Sequence, residues 1–144
     1  MEKRETKTGE RFQELFEKLK SFNLPSGQFA VMGSGPLAVR GLREPHDLDI
    51  VVSDKLWEEL SQKYPVVEGW HSGKIKLTED IDAFTRTAAD IPVEELIARA
   101  DIFDGVRFVS LEDTIAAKRV QNREKDLADI ELIEKYLEKA STVK

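Results

Sequence analysis

Phe29-Ala30-Val31-Met32 runs without a break into Gly33-Ser34-Gly35-Pro36, and this junction limits the folds open to the chain more than any other stretch. The apolar run has the length of a short strand, the two glycines turn the chain, and Pro36 suits the first turn of a helix. A strand entering such a turn ahead of a helix presents backbone N–H groups that can cradle phosphate. Glycine permits close approach of a ligand, and the Ser34 hydroxyl adds a donor. After a spacer of 12 residues, Asp47-Leu48-Asp49-Ile50-Val51-Val52 reads as the next strand. Leu48, Ile50 and Val52 then share one face, and Asp47 and Asp49 project together from the other.

The flanking periodicities alternate between helix and strand. Phe12, Leu15, Phe16, Leu19 and Phe22 recur on one helical face, and Leu24-Pro25-Ser26-Gly27 closes that helix with turn chemistry. A short helix is expected over 37–42, stopped by Pro45. Ser53 suits the cap of a helix carrying Leu56, Trp57 and Leu60. Segments 66–77 and 81–85 read as two or three strands broken at Gly69 and Gly73, with Trp57 and Trp70 as core or pocket-wall residues. Pro92 opens a helix through Ala100, and Asp104-Gly105 fits a tight hairpin turn. Ser110 with Asp113 resembles a capping box for a helix through Val120, and the last helix carries Leu127, Ile130, Ile133 and Leu137 on one stripe. Residues 1–8 are expected to be disordered. Residues 9–144 are expected to form a single α/β (α+β) domain, a mixed sheet flanked by helices.

Composition narrows the chemistry. The 144 residues are 40% hydrophobic and 35% charged, enough for one core under a heavily charged surface. An excess of 28 Asp+Glu over 22 Lys+Arg leaves a net charge of −6, so no extended nucleic-acid interface is expected. The absence of Cys excludes a thiol nucleophile and thiolate metal sites, and two His exclude a His-rich metal site. No apolar run approaches the roughly 20 residues of a membrane span, and the N-terminus carries no apolar signal segment, so a cytoplasmic protein is expected. The chemistry has to rest on carboxylates, hydroxyls and basic side chains.

Two readings of the glycine turn compete. Gly33-Ser34-Gly35-Pro36-Leu37-Ala38 fits a dinucleotide-binding G-x-G-x-x-A, with Asp54 placed for a ribose. That reading leaves Asp47 and Asp49 without a role and has no second substrate domain. The other reading uses them: two carboxylates side by side repel, which raises a pKa or calls for a cation. Oxygen-only ligands suit Mg²⁺ or Mn²⁺, which also binds substrate phosphates. A phosphate-cradling turn beside a metal-binding D-x-D implies a nucleoside triphosphate bound as its Mg²⁺ complex.

Met32-Gly33-Ser34, the spacer and Asp47-Leu48-Asp49-Ile50 together resemble the first motif of the nucleotidyltransferase superfamily related to DNA polymerase β. The segment from Leu111 through Lys118, with Arg123-Glu124-Lys125-Asp126-Leu127-Ala128-Asp129, resembles the C-terminal helices of small bacterial members, including aminoglycoside and lincosamide nucleotidyltransferases and the transferases of toxin–antitoxin pairs. The resemblance implies a nucleotidyltransferase-like fold and a third acidic residue on a neighbouring strand, supplied by Asp80 or Asp82. Asp82 is preferred, because an Asp inside the apolar segment 81–84 needs a reason to be there. Asp47, Asp49 and Asp82 are then the expected catalytic and metal-binding residues. Gly33, Ser34, Arg43 and Lys118 are the expected contacts to a nucleoside triphosphate such as ATP. Arg40 and His46 also lie between the turn and the D-x-D. Asp126 and Asp129 are read as partners of the basic cluster Lys118, Arg119, Arg123 and Lys125. The implied reaction moves a nucleoside monophosphate to a hydroxyl of a small molecule, a protein or an RNA end, releasing pyrophosphate. The alternative is a catalytically inactive nucleotide- or partner-binding protein of the same fold, antitoxin-like, paired with the product of a neighbouring gene.

Overall fold

Phe12, Leu15, Phe16 and Leu19 are all buried on helix α1 (Glu10–Ser21), as their spacing requires. The coordinates are a computed structural model that describes residues 9–68 and 73–142. The expected disorder of residues 1–8, and Gly69 and Trp70, lie outside the described residues. A single 3₁₀ turn (Ser26–Gln28) leads into strand β1 (Phe29–Met32), followed by the short helix α2 (Gly35–Ala38) and strand β2 (Leu48–Val52). Then come α3 (Asp54–Ser61), β3 (Val66–Val67), β4 (Lys74–Thr78), β5 (Ile81–Phe84) and α4 (Val93–Ala98). The hairpin β6 (Asp101–Phe103) and β7 (Val106–Phe108) precedes helices α5 (Leu111–Gln121) and α6 (Glu124–Thr142).

Among the described residues the strands form one seven-stranded sheet in the order β3-β4-β5-β2-β1-β7-β6. It is mixed: β1 runs antiparallel to β2 and parallel to β7, while β2 runs parallel to β5. The protein is thus a small mixed α/β domain. A dinucleotide fold places parallel strands around its glycine turn. Here β1 and β2 are antiparallel neighbours and Asp54 merely opens α3, so the topology removes the basis of that reading.

Alternation decides what each face of the sheet does. Leu48, Ile50 and Val52 of β2 join Phe29 and Val31 of β1, Ile81 and Ala83 of β5, and Phe108 of β7 in the main core, covered by α1 and α3. The opposite face is apolar at one end only. There Ala30 and Val51 pack with Leu96 of α4 and with Val109. At the other end the residues on this face are Asp49, Asp82, Lys74 and Lys76. A third cluster, Leu37, Leu111 and Ile133, ties α2 to α5 and α6.

Local signals account for most element ends. The Ser53 hydroxyl accepts the Leu56 N–H at 3.2 Å and caps α3. Ser110 caps α5 by accepting the Asp113 N–H at 3.1 Å, but the expected reciprocal bond is not made. The Asp113 carboxylate instead takes Arg99, at 3.0 and 3.2 Å. Leu127 also departs from expectation. It sits on the apolar stripe of α6 but is 52% exposed, because the first two turns of that helix bury Asp126 and Asp129 instead.

Candidate active site

The end of β1 and the start of β2 face each other in an antiparallel ladder, with Met32 opposite Asp49. This pairing, set by the sheet, brings the glycine turn onto the D-x-D. Gly33 has φ +70°, a conformation that side-chain-bearing residues resist. A Cβ there would stand 3.5 Å from Asp49 Oδ2, so the turn lies directly against the carboxylate. Gly35 is needed for a different reason: a Cβ would overlap Val31 Cγ1, where α2 closes onto β1. Ser34 occupies the N-cap position of α2 without making a side-chain cap hydrogen bond.

The parallel ladder between β2 and β5 sets Asp49 in register with Asp82. Both side chains therefore emerge on the same face as neighbours. Asp80, the other candidate, sits at the β4–β5 turn with its carboxylate 3.4 Å from Arg11 Nη2. Of the two, Asp82 is the one placed beside Asp49. Asp47 precedes β2 and is exposed. Burial, then the charges of Asp47 and Asp82, push the Asp49 carboxyl up to about 7, with Lys74 and Lys118 opposing them.

Asp82 is only 7% exposed, and two lysines from β4 compensate its burial. Lys74 Nζ lies 3.1 Å from Oδ2 and Lys76 Nζ 3.3 Å from Oδ1. Sequence reasoning missed this clamp. Its signal was present in Lys74-Ile75-Lys76, whose alternation puts both lysines on one face, but the strand opposite them is set only by the register of Lys76 with Asp82. No group of three or more His, Asp or Glu side chains among the described residues is arranged to hold a metal ion. Asp47 and Asp49 suit a divalent cation that completes its shell with water and phosphate oxygens, since a half-buried carboxyl raised by two like charges is relieved by a cation. Asp82 fits that set only by exchanging a lysine for the cation.

Facing the carboxylates across a cleft of ≈160 Å³ are Arg43, His46 and the residues Lys118, Gln121, Arg123 and Lys125 from α5, the α5–α6 turn and α6. Gly33, Ser34, Asp47 and Asp49 line the same cleft. Arg43 and Lys118 are therefore where expected, but each is already engaged. Arg43 forks onto Asp129 through Nε at 2.7 Å and Nη2 at 2.8 Å. Lys118 Nζ reaches Asp129 at 2.9 Å and Asp126 at 3.7 Å. Arg123 completes the network, its Nε 2.6 Å from Asp126 Oδ2 and its backbone N–H on the same carboxylate at 3.1 Å. Burial pushes Asp126 up, but Arg123 and then Lys118 outweigh it, so its carboxyl stays below the usual range. Asp129 behaves likewise, held low against burial by Arg43 and Lys118. Asp126 and Asp129 thus pair with the basic cluster, as read from the sequence.

Three residues of the expected constellation, Asp82, Arg40 and Arg119, fall outside the cleft lining. Arg40 turns away to Asp101, 2.8 Å from Oδ2, and stacks over Phe103 at 4.9 Å. Arg119 pairs with Glu134 on the surface at 3.0 Å. The Glu44 carboxylate accepts the Phe12 N–H at 3.3 Å and caps α1 from outside. No helix among the described residues is long and apolar enough to cross a membrane. No protein-family model matches the chain, and no curated protein matches it either.

Proposed function

We propose that the cleft binds a nucleoside triphosphate as its Mg²⁺ or Mn²⁺ complex and transfers the nucleoside monophosphate to a hydroxyl acceptor. The reading rests on one observation above all: Asp49 is half-buried beside two further carboxylates and lies against the positive-φ turn at Gly33. A half-buried acid crowded by like charges calls for a cation, and the turn offers backbone donors to the phosphate such a cation accompanies. The resemblance to polymerase β-type nucleotidyltransferases, in both the turn and the D-x-D, points the same way.

In this reading the acceptor oxygen attacks the α-phosphorus, the bond from that phosphorus to the β-bridging oxygen breaks, and pyrophosphate leaves. Asp47 and Asp49 would hold the cation, whose charge would offset that of the phosphates. Gly33 and Ser34 orient the β- and γ-phosphates for in-line departure. Asp82, beside Asp49, would take the hydroxyl proton only after releasing Lys74 or Lys76. Lys118 and Arg43 are positioned by Asp126 and Asp129, so their charge reaches the phosphates from a fixed frame. A cytoplasmic location, where nucleoside triphosphates and Mg²⁺ are plentiful, belongs to this proposal.

The Lys74 and Lys76 clamp on Asp82 favours a second reading, a nucleotide- or partner-binding protein that holds the triphosphate without turnover. Incubation with α-labelled nucleoside triphosphates and Mg²⁺, alone and with the neighbouring gene's product, tests both. Label transferred with pyrophosphate release, abolished by Asp47→Asn, supports the transferase. Saturable binding with no transferred label on any acceptor supports the binder.

A further inference from the structure

Thr87 and Thr114 are each only 3% exposed, and their Oγ1 atoms have no hydrogen-bond partner among the described residues. Buried hydroxyls are nearly always paired, so two orphans at one place need an explanation. Both line one narrow slot of ≈40 Å³ between the end of β1 and helix α5. Val109 and Ala117 contribute apolar wall. Met32, Gly33, Lys118 and Gln121 line this slot and the carboxylate cleft alike, so the two spaces are neighbours with a shared wall.

We infer that this slot receives the edge of the nucleobase while the triphosphate lies at Gly33, Ser34 and the carboxylates. The inference rests on the nucleotide reading above and adds to it the site of base discrimination. The chemistry fits: a base is flat and apolar on its faces and carries donors and acceptors on its rim. The slot offers apolar walls and two hydroxyls, each able to donate and to accept, while the Asp113 and Lys118 side chains that also line it are already paired with Arg99 and Asp129. The volume suits the edge of one ring and not a whole nucleoside. A hydroxyl left unpaired by the wrong base stays costly, which is how such a pair discriminates.

The test measures Mg²⁺-dependent binding of the four common nucleoside triphosphates, and of inorganic tripolyphosphate, to the full chain. Wild type should prefer one base by about tenfold, the scale of one or two hydrogen bonds. Thr87→Val and Thr114→Val should flatten that ranking and leave tripolyphosphate affinity unchanged, while Thr114→Ser, which keeps the hydroxyl, should retain it. Should a valine variant fail to fold, the wild-type ranking and the serine variant still decide. Equal binding of all four bases by wild type, or an unchanged ranking in valine variants that merely melt higher, overturns the slot alone. That result would make it a water pocket. If neither tripolyphosphate nor any nucleotide binds, the nucleotide reading fails and the slot falls with it.

Discussion

Asp49 holds its proton more tightly in the folded protein than in the unfolded chain, because burial and the charges of Asp47 and Asp82 raise its carboxyl to about 7. The stability this provides is fully present below the ordinary carboxyl value near pH 4. It is lost as the pH rises through 7, where folding must accommodate the ionised form. Unfolding of the metal-free protein in chelator should therefore show stability declining between about pH 4 and 7. Asp49→Asn removes the titration and should be more stable than wild type at pH 8, by about 1–3 kcal/mol. The core face of β2 is untouched by that change, so the strand itself survives. Gly33→Ala acts oppositely at the same spot. It should cost about 1–2 kcal/mol, the penalty for a side chain in the left-handed region, and denaturant titration would read it directly. A Gly33→Ala protein as stable as wild type would mean that the turn relaxes without strain.

Helices α5 and α6 are joined by charge as much as by apolar packing. Lys118, with 7% of its side chain exposed, depends on Asp129 and Asp126, whose side chains are 4% and 1% exposed. Breaking a buried pair from one side leaves the other charge uncompensated. Asp129→Asn should cost about 3–5 kcal/mol in chemical denaturation, well beyond a surface ion pair. Because both aspartates are held below their ordinary range, their contribution is present at neutral pH and lost as acid protonates them. At this scale the sequence was readable where the pattern was local. The stripes of α1 and α3, the Ser53 cap, the 81–84 strand and the Asp104-Gly105 hairpin all follow from spacings within a dozen residues. The registers did not follow from any local spacing. That Asp49 lies beside Asp82, and that Lys74 and Lys76 clamp Asp82, depends on which strands neighbour which, a choice made by the whole sheet. Leu127 misled for a related reason: a helical stripe cannot show that the first turn of α6 faces a polar cleft. Thr87 and Thr114 carried no signal at all, since an orphan hydroxyl is defined by what fails to surround it.

At the scale of the molecule, one sheet serves two purposes through its two faces. The face carrying Leu48, Ile50 and Val52 builds the main core with α1 and α3. The other face is sealed by α4 at one end and opens at the other into a cleft of carboxylates, roofed by the basic α5–α6 junction. Concentrating acids at an edge of the fold costs stability that ligand binding can restore, a balance common at functional sites. The central claim is that this cleft binds a Mg²⁺–nucleoside triphosphate through Asp49 and the Gly33 turn. The most direct measurement is the melting temperature with and without Mg²⁺ plus each nucleoside triphosphate, since a ligand that binds only the folded state raises it by mass action. Wild type should show a rise with Mg²⁺ and a nucleoside triphosphate, no rise with NAD, and Asp49→Asn should lose most of the rise. An equal rise in wild type and Asp49→Asn, or a rise with NAD alone, would contradict the central claim.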